Sequence, residues 1–129
     1  MLKIKILFLM ISSFLFGASN DVYTDVQVCK AALSSIMGVD LAAIQTEKRK
    51  DGIVYLHYRI ESENDRYDYK CRLEGNSVIW GSANGRWRTK KGDASITFEV
   101  SNGNITIKER YNDEPRSQGI KTTYPLSQL

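Results

Sequence analysis

Between Tyr67 and Glu74 apolar and charged residues alternate without a break. Tyr67, Tyr69, Cys71 and Leu73 fall on one side, Asp68, Lys70, Arg72 and Glu74 on the other. Alternation of this length describes a strand with one buried and one wet face. Antiparallel sheet is the arrangement that leaves a face in water. Gly75-Asn76 then turns the chain into Ser77-Val78-Ile79-Trp80. With a two-residue turn, Leu73 stands opposite Val78 and Cys71 opposite Trp80, all facing inward. Asn102-Gly103 passes the same check, placing Val100 opposite Ile105 and Phe98 opposite Ile107. A third turn dipeptide, Asp51-Gly52, separates the extended runs Ile44 to Lys50 and Ile53 to Ile60 and favours a type I′ hairpin. The run Ile44 to Lys50 is mostly polar and reads as a protected edge. A last strand, Ile120 to Tyr124, stops at Pro125.

One helix precedes these strands. Thr24 is a good N-cap, Gln27 its capping-box partner, and Tyr23 and Val28 occupy the staple positions. Val26, Cys29, Leu33, Ile36 and Met37 recur at helical spacing, and Gly38 is placed to end the helix in the left-handed conformation. The expected fold is α+β: one N-terminal helix packed on an antiparallel meander of six to seven strands.

The start of the chain predicts export. Lys3 and Lys5 form a short positive region, Ile6 to Phe16 is apolar apart from Ser12 and Ser13, and Gly17-Ala18-Ser19 supplies small residues for cleavage. Residues 1–19 therefore read as a signal peptide and 20–129 as a single domain. The apolar run is short of the about 20 residues a spanning helix needs. No stable membrane span is expected after cleavage, and a retained anchor is the alternative. Removing Lys3 and Lys5 takes the 18 basic side chains to 16, against 15 acidic ones. That balance gives no general affinity for nucleic acid or an anionic membrane, which needs charge surplus on one face. Cys29 and Cys71, the only cysteines, read as one disulfide in an oxidising compartment. Such a bond closes a loop of about 42 residues and would stabilise the fold by about 4 kcal/mol. A lipid-modified Cys29 is rejected, because Val26-Gln27-Val28 does not match the residues a lipobox needs before its cysteine.

Cys-Lys-Ala-Ala at Cys29 to Ala32, Tyr-x-Cys-x-Leu-x-Gly at Tyr69 to Gly75, Val-Ile-Trp at Val78 to Trp80 and Gly-Arg-Trp-Arg at Gly85 to Arg88 span most of the exported chain. In these motifs the chain resembles a family of small exported bacterial proteins of unknown function. The resemblance implies export and brings no activity with it; the Phe-Leu-Phe-Gly-Ala-Ser ending of the signal has a Gram-negative character, so the expected destination is periplasmic or secreted. Small periplasmic inhibitors of lysozyme also carry a Tyr-x-Cys strand, and the similarity to them ends there.

The most site-like stretch is Gly81 to Ala94, where Arg86, Arg88, Lys90 and Lys91 surround Trp87 and Asp93 is the only acid. In extended chain Arg86 and Arg88 share one face and Trp87 takes the other. Arginine forks suit phosphate, carboxylate or an acidic protein. The competing expectation is structural: Trp87 plugs an end of the core and the arginines are solvated or salt-bridged. His57, the only histidine, falls on the face opposite Val54, Leu56, Tyr58 and Ile60 and reads as an ordinary strand residue. There is no Gly-x-Ser-x-Gly elbow to pair with it. Glu61, Glu63, Asp65 and Asp68 read as a solvated turn, since EF-hand spacing is missing.

These residues predict no catalytic constellation, no metal and no cofactor. The expected function is a non-enzymatic binding or inhibitor-like module of the cell envelope, for a protein or an anionic envelope component. The alternatives are a small secreted hydrolase, or a structural or stress-related envelope protein without a specific ligand.

Overall fold

The computed structural model describes residues 22–111 and 119–129. The expected signal segment and cleavage site lie outside them. Helix α1 (Asp25–Met37) opens with the expected capping box. Thr24 Oγ1 accepts from the Gln27 N–H at 3.2 Å, and Gln27 Oε1 accepts from the Thr24 N–H at 2.9 Å. At the other end Gly38 sits at φ 67° and donates its N–H to the Ser34 carbonyl at 2.9 Å. Seven strands follow: β1 (Gln45–Lys50), β2 (Ile53–Ile60), β3 (Asp65–Glu74), β4 (Ser77–Ser82), β5 (Ala94–Ser101), β6 (Asn104–Tyr111) and β7 (Ile120–Pro125). They form one antiparallel sheet in chain order, a meander.

The turn chemistry sets the registers. Asp51 and Gly52, and again Asn102 and Gly103, both take positive φ, as a type I′ hairpin requires. At Gly75-Asn76 only Gly75 does, the type II′ variant. Leu73 pairs with Val78, Cys71 with Trp80, Val100 with Ile105 and Phe98 with Ile107, all as expected. Strand β1 is exposed along its length at one sheet edge, and a bulge between Thr46 and Lys48 breaks its ladder with β2.

Helix α1 lies on the inner face. Val28, Cys29, Ala31, Ala32 and Leu33 are buried there with Val54, Leu56, Cys71, Val78, Ile96, Phe98, Ile105 and Ile107. Ile36 and Met37 flank that core. Cys29 and Cys71 are joined across this interface, with their Cα atoms 6.0 Å apart. Two hydroxyl links reach the far side of the sheet: Ser35 Oγ donates to Glu109 on β6, and Tyr124 on β7 donates to Ser34 Oγ at 3.1 Å. At the near edge Arg49 of β1 pairs with Asp25 at 2.7 Å. Among the described residues no helix is long and apolar enough to cross a membrane.

The sheet is weakest between β4 and β5, where a single pair, Ser77 with Thr97, keeps ladder register. Beyond it the strands part, and residues 83–93 fill the opening.

Reduction of the disulfide is expected to lower stability by about 4 kcal/mol on the chain-entropy model while the far-UV signal at low temperature persists. Chemical denaturation with and without reductant measures the difference. Two reactive thiols in the untreated protein would contradict both the bond and the helix docking.

Candidate binding cleft beside the basic loop

The loop between β4 and β5 is built around Asp93. Its carboxylate accepts a two-point contact from Arg86, 2.7 Å from Nη1 and 2.9 Å from Nη2, and a third bond from the Lys90 backbone N–H at 2.9 Å. Arg88 Nη1 stands 3.7 Å from its other oxygen. The Asp93 side chain is only 10% exposed, against 45% and 44% for the two arginines. The Arg86 guanidinium first, then the Lys90 N–H, holds the Asp93 carboxyl well below the usual carboxylate range. Backbone bonds tie the same loop to the sheet: Arg88 N–H to the Trp80 carbonyl at 2.8 Å and Ala83 N–H to the Asp68 carbonyl at 2.9 Å. Gly81 is needed for this approach, since a Cβ there would lie 2.3 Å from the Arg86 carbonyl oxygen.

Alternation along the loop sends its residues to opposite sides of the sheet. Trp87 goes to the outer face, where Lys70 Nζ sits 4.6 Å and Arg72 Cζ 4.2 Å from its ring centroid. It is half-buried and lies outside the core, which corrects the expectation of a core plug. The cause is the outward alternation of Lys70 and Arg72, whose stems and charges offer the indole a surface away from the core. The salt-bridged half of that expectation holds, because Arg86 is committed to Asp93.

Arg88 goes the other way. Its Cζ lies 5.5 Å from the centroid of Trp80, an inward-facing ring. Trp80 continues an aromatic row through Tyr69, Tyr58 and Tyr67, with neighbouring centroids 5.4–6.1 Å apart. Burial pushes the Tyr69 phenol up, the Tyr58 hydroxyl adds to it, and the Arg88 charge works against both. Arg88 thereby reaches a cleft of about 200 Å³ between α1, β4, β5 and β6. Ile36, Trp80 and Ile96 supply apolar walls, and Arg88, Asp93 and Glu109 supply charge. A second opening of about 180 Å³, on the side of Ser77 and Ile79, also borders Arg88 and includes Lys90. Lys91 is exposed and lines neither.

Glu109 is the residue that the motifs of the loop do not announce. It is 8% exposed, an acid on the inner face of β6 between Ile96 and Ile120. The pairing series Val100–Ile105 and Phe98–Ile107, extended by one step, puts Ile96 opposite Glu109 and so marks it as inward.

His57 lies on the outer face as expected, in a charged group rather than alone. Its Nδ1 is 2.6 Å from Glu47 Oε2 without meeting hydrogen-bond geometry. The β1 bulge delivers Glu47 to this position. His57, Glu47 and Asp68 could converge on an ion. Arg66, however, already contacts Glu47 and lies 2.8 Å from Asp68, so a guanidinium supplies the cation these carboxylates need. Of the acidic turn, Glu61–Glu63 forms a short 3₁₀ segment closed by Asn64 at positive φ, and Asp68 belongs to the Arg66 group instead.

Comparisons with protein-family models, with curated proteins and with solved structures found no match.

Asp93 is ionised in the fold at pH values where it is protonated in the unfolded chain. Its contribution is therefore complete above its ordinary value of 3.8 and disappears as pH falls below that toward the lowered folded value. Thermal unfolding scans from pH 7 to pH 2 are expected to show a loss below pH 4 that Asp93→Asn reduces. Trp87→Ala is expected to cost about 1–2 kcal/mol through its cation contacts, less than the about 3–5 kcal/mol of a buried tryptophan.

Proposed function

We propose that the chain is an exported, non-enzymatic binding module of the cell envelope, periplasmic or secreted, whose cleft receives an anionic group of a protein or envelope component. The Cys29–Cys71 bond fits an oxidising compartment, and the family of small exported proteins that the sequence resembles fits the same reading.

The observation that carries the proposal is the division of labour at Asp93. Arg86 and the Lys90 N–H already occupy its carboxylate at hydrogen-bond distance, and Arg88 is left at 3.7 Å. Arg88 thus holds a positive charge at the mouth of a preformed cleft, with its guanidinium carbon 5.5 Å from the Trp80 ring centroid. A guanidinium steered by a ring and a weakly held carboxylate is placed without being consumed, and so suits an incoming carboxylate or phosphate. Arg86 belongs to the framework of the loop, and Arg88 is the residue that meets the ligand.

The two tryptophans report the two faces separately. In ¹H–¹⁵N spectra of the mature protein titrated with acetate or inorganic phosphate, the Trp80 indole N–H is expected to shift and saturate while that of Trp87 stays still. Arg88→Gln should abolish the shift and leave the melting temperature nearly unchanged, because the side chain is exposed. A shift at Trp87 alone, or none at either indole, would overturn the proposal.

A further inference from the structure

Glu109 poses a physical problem that the anion reading does not answer. A carboxylate taken out of water needs a cation or several donors to offset its lost hydration. On its Oε2 Glu109 has the Ser35 hydroxyl, which also lies 3.2 Å from Thr122 Oγ1. Among the described residues it forms no ion pair, whereas Asp25, Asp68, Asp93, Glu47, Glu74 and Glu99 all do. Glu109 is thus a buried acid without a cation. It lines the cleft with Arg88 and Asp93, and of the two acids Asp93 is already satisfied by Arg86 and the Lys90 N–H.

We infer that the cleft recognises a small zwitterion of the amino-acid class, with its carboxylate on Arg88 and its ammonium on Glu109. The inference rests on the proposed reading of the cleft as a binding site and adds the second charge and the size. An ammonium brought to Glu109 supplies the missing cation. The rings of Trp80 and Tyr111 border the same space and favour a cation over their faces. A simple anion would gain from Arg88 and be repelled by Glu109, so a ligand bearing both charges is selected over one bearing either. The volume of about 200 Å³ is smaller than the clefts that enclose drug-sized molecules. It encloses on the order of seven non-hydrogen atoms, given about 30 Å³ for a water molecule in the liquid, so the rest of a larger ligand lies outside it. The walls of Ile36, Ile96 and Trp80 add a preference for an apolar side chain. Free amino acids and short peptides share this chemistry.

The test uses four probes on the mature, disulfide-bonded protein, with the Trp80 indole as reporter: racemic leucine, N-acetyl-leucine, leucine amide and glycyl-leucine. Leucine or glycyl-leucine is expected to bind at least tenfold more tightly than N-acetyl-leucine, which lacks the ammonium, and than leucine amide, which lacks the carboxylate. Tighter binding of leucine assigns a free amino acid, and tighter binding of glycyl-leucine a peptide. Glu109→Gln preserves the shape and the acceptor for Ser35, and is expected to erase the advantage over N-acetyl-leucine. Arg88→Gln, an exposed position that leaves the core untouched, is expected to erase the advantage over leucine amide. Should N-acetyl-leucine bind as tightly as leucine and glycyl-leucine, Glu109 plays no part and the inference falls while the anion reading stands. If none of the four binds but phosphate does, the inference likewise falls alone. If phosphate and acetate fail as well, the proposed function falls with it.

Discussion

The sheet depends on a helix to remain one sheet. Strands β1–β4 form one continuous ladder and β5–β7 another, and only the Ser77–Thr97 pair joins them in register. One further backbone bond at the joint, Phe98 N–H to the Asn76 carbonyl at 3.0 Å, lies next to that pair. Each group carries an apolar face that must be buried against another element. Helix α1 covers both groups at once. It is bonded covalently to the first through Cys71 and by hydroxyls to the second through Glu109 and Tyr124. The buried stripe from Val28 to Leu33 supplies the apolar contact between these anchors. Burying each Val or Leu there contributes about 1.5–3 kcal/mol.

The cleft is a consequence of that construction. Because β4 and β5 part after one pair, the chain between them must satisfy its own backbone, and it does so by clamping on Asp93 and on the Trp80 carbonyl. A thirteen-residue helix measures about 20 Å at 1.5 Å per residue, while seven strands at about 4.8 Å spacing extend to roughly 29 Å. One short helix therefore leaves part of the inner face uncovered. Ile36, at its C-terminal turn, forms the wall where cover ends, and Arg88 enters from the loop side. The charges inside are fixed by register and by the clamp, so the cleft is preformed rather than assembled around a ligand.

The strands, their registers and the helix caps were legible because each rests on local chemistry. Asp51-Gly52 and Asn102-Gly103 can take positive φ at both positions, and a one-residue slip would have turned Val100, Phe98, Ile105 and Ile107 to water. Cys29 on a helical stripe and Cys71 on an inward strand position left one way to meet. The parting of β4 from β5 was not legible, since Val78, Trp80, Ile96 and Phe98 alternate as they would in a continuous ladder. The loop was legible as charged, and its two faces follow from alternation. Which face met the core was not: Trp87 packs on Lys70 and Arg72, two residues remote in sequence whose service as a platform depends on the fold. Glu109 lay within reach of the register argument but carries no motif. Glu47 meets His57 only because of a bulge that its neighbours Thr46 and Lys48 do not signal.

The claim that α1, and not the ladder, unites the two strand groups is tested most directly by native-state hydrogen exchange with and without the disulfide. The Phe98 amide crosses between the groups, and the Ile107 amide lies within the second. If the helix is the tie, reducing Cys29–Cys71 loosens the first group from the second. Protection at Phe98 then falls by a larger factor than at Ile107. Equal losses at both amides would mean that the sheet opens as one unit, and would contradict the account.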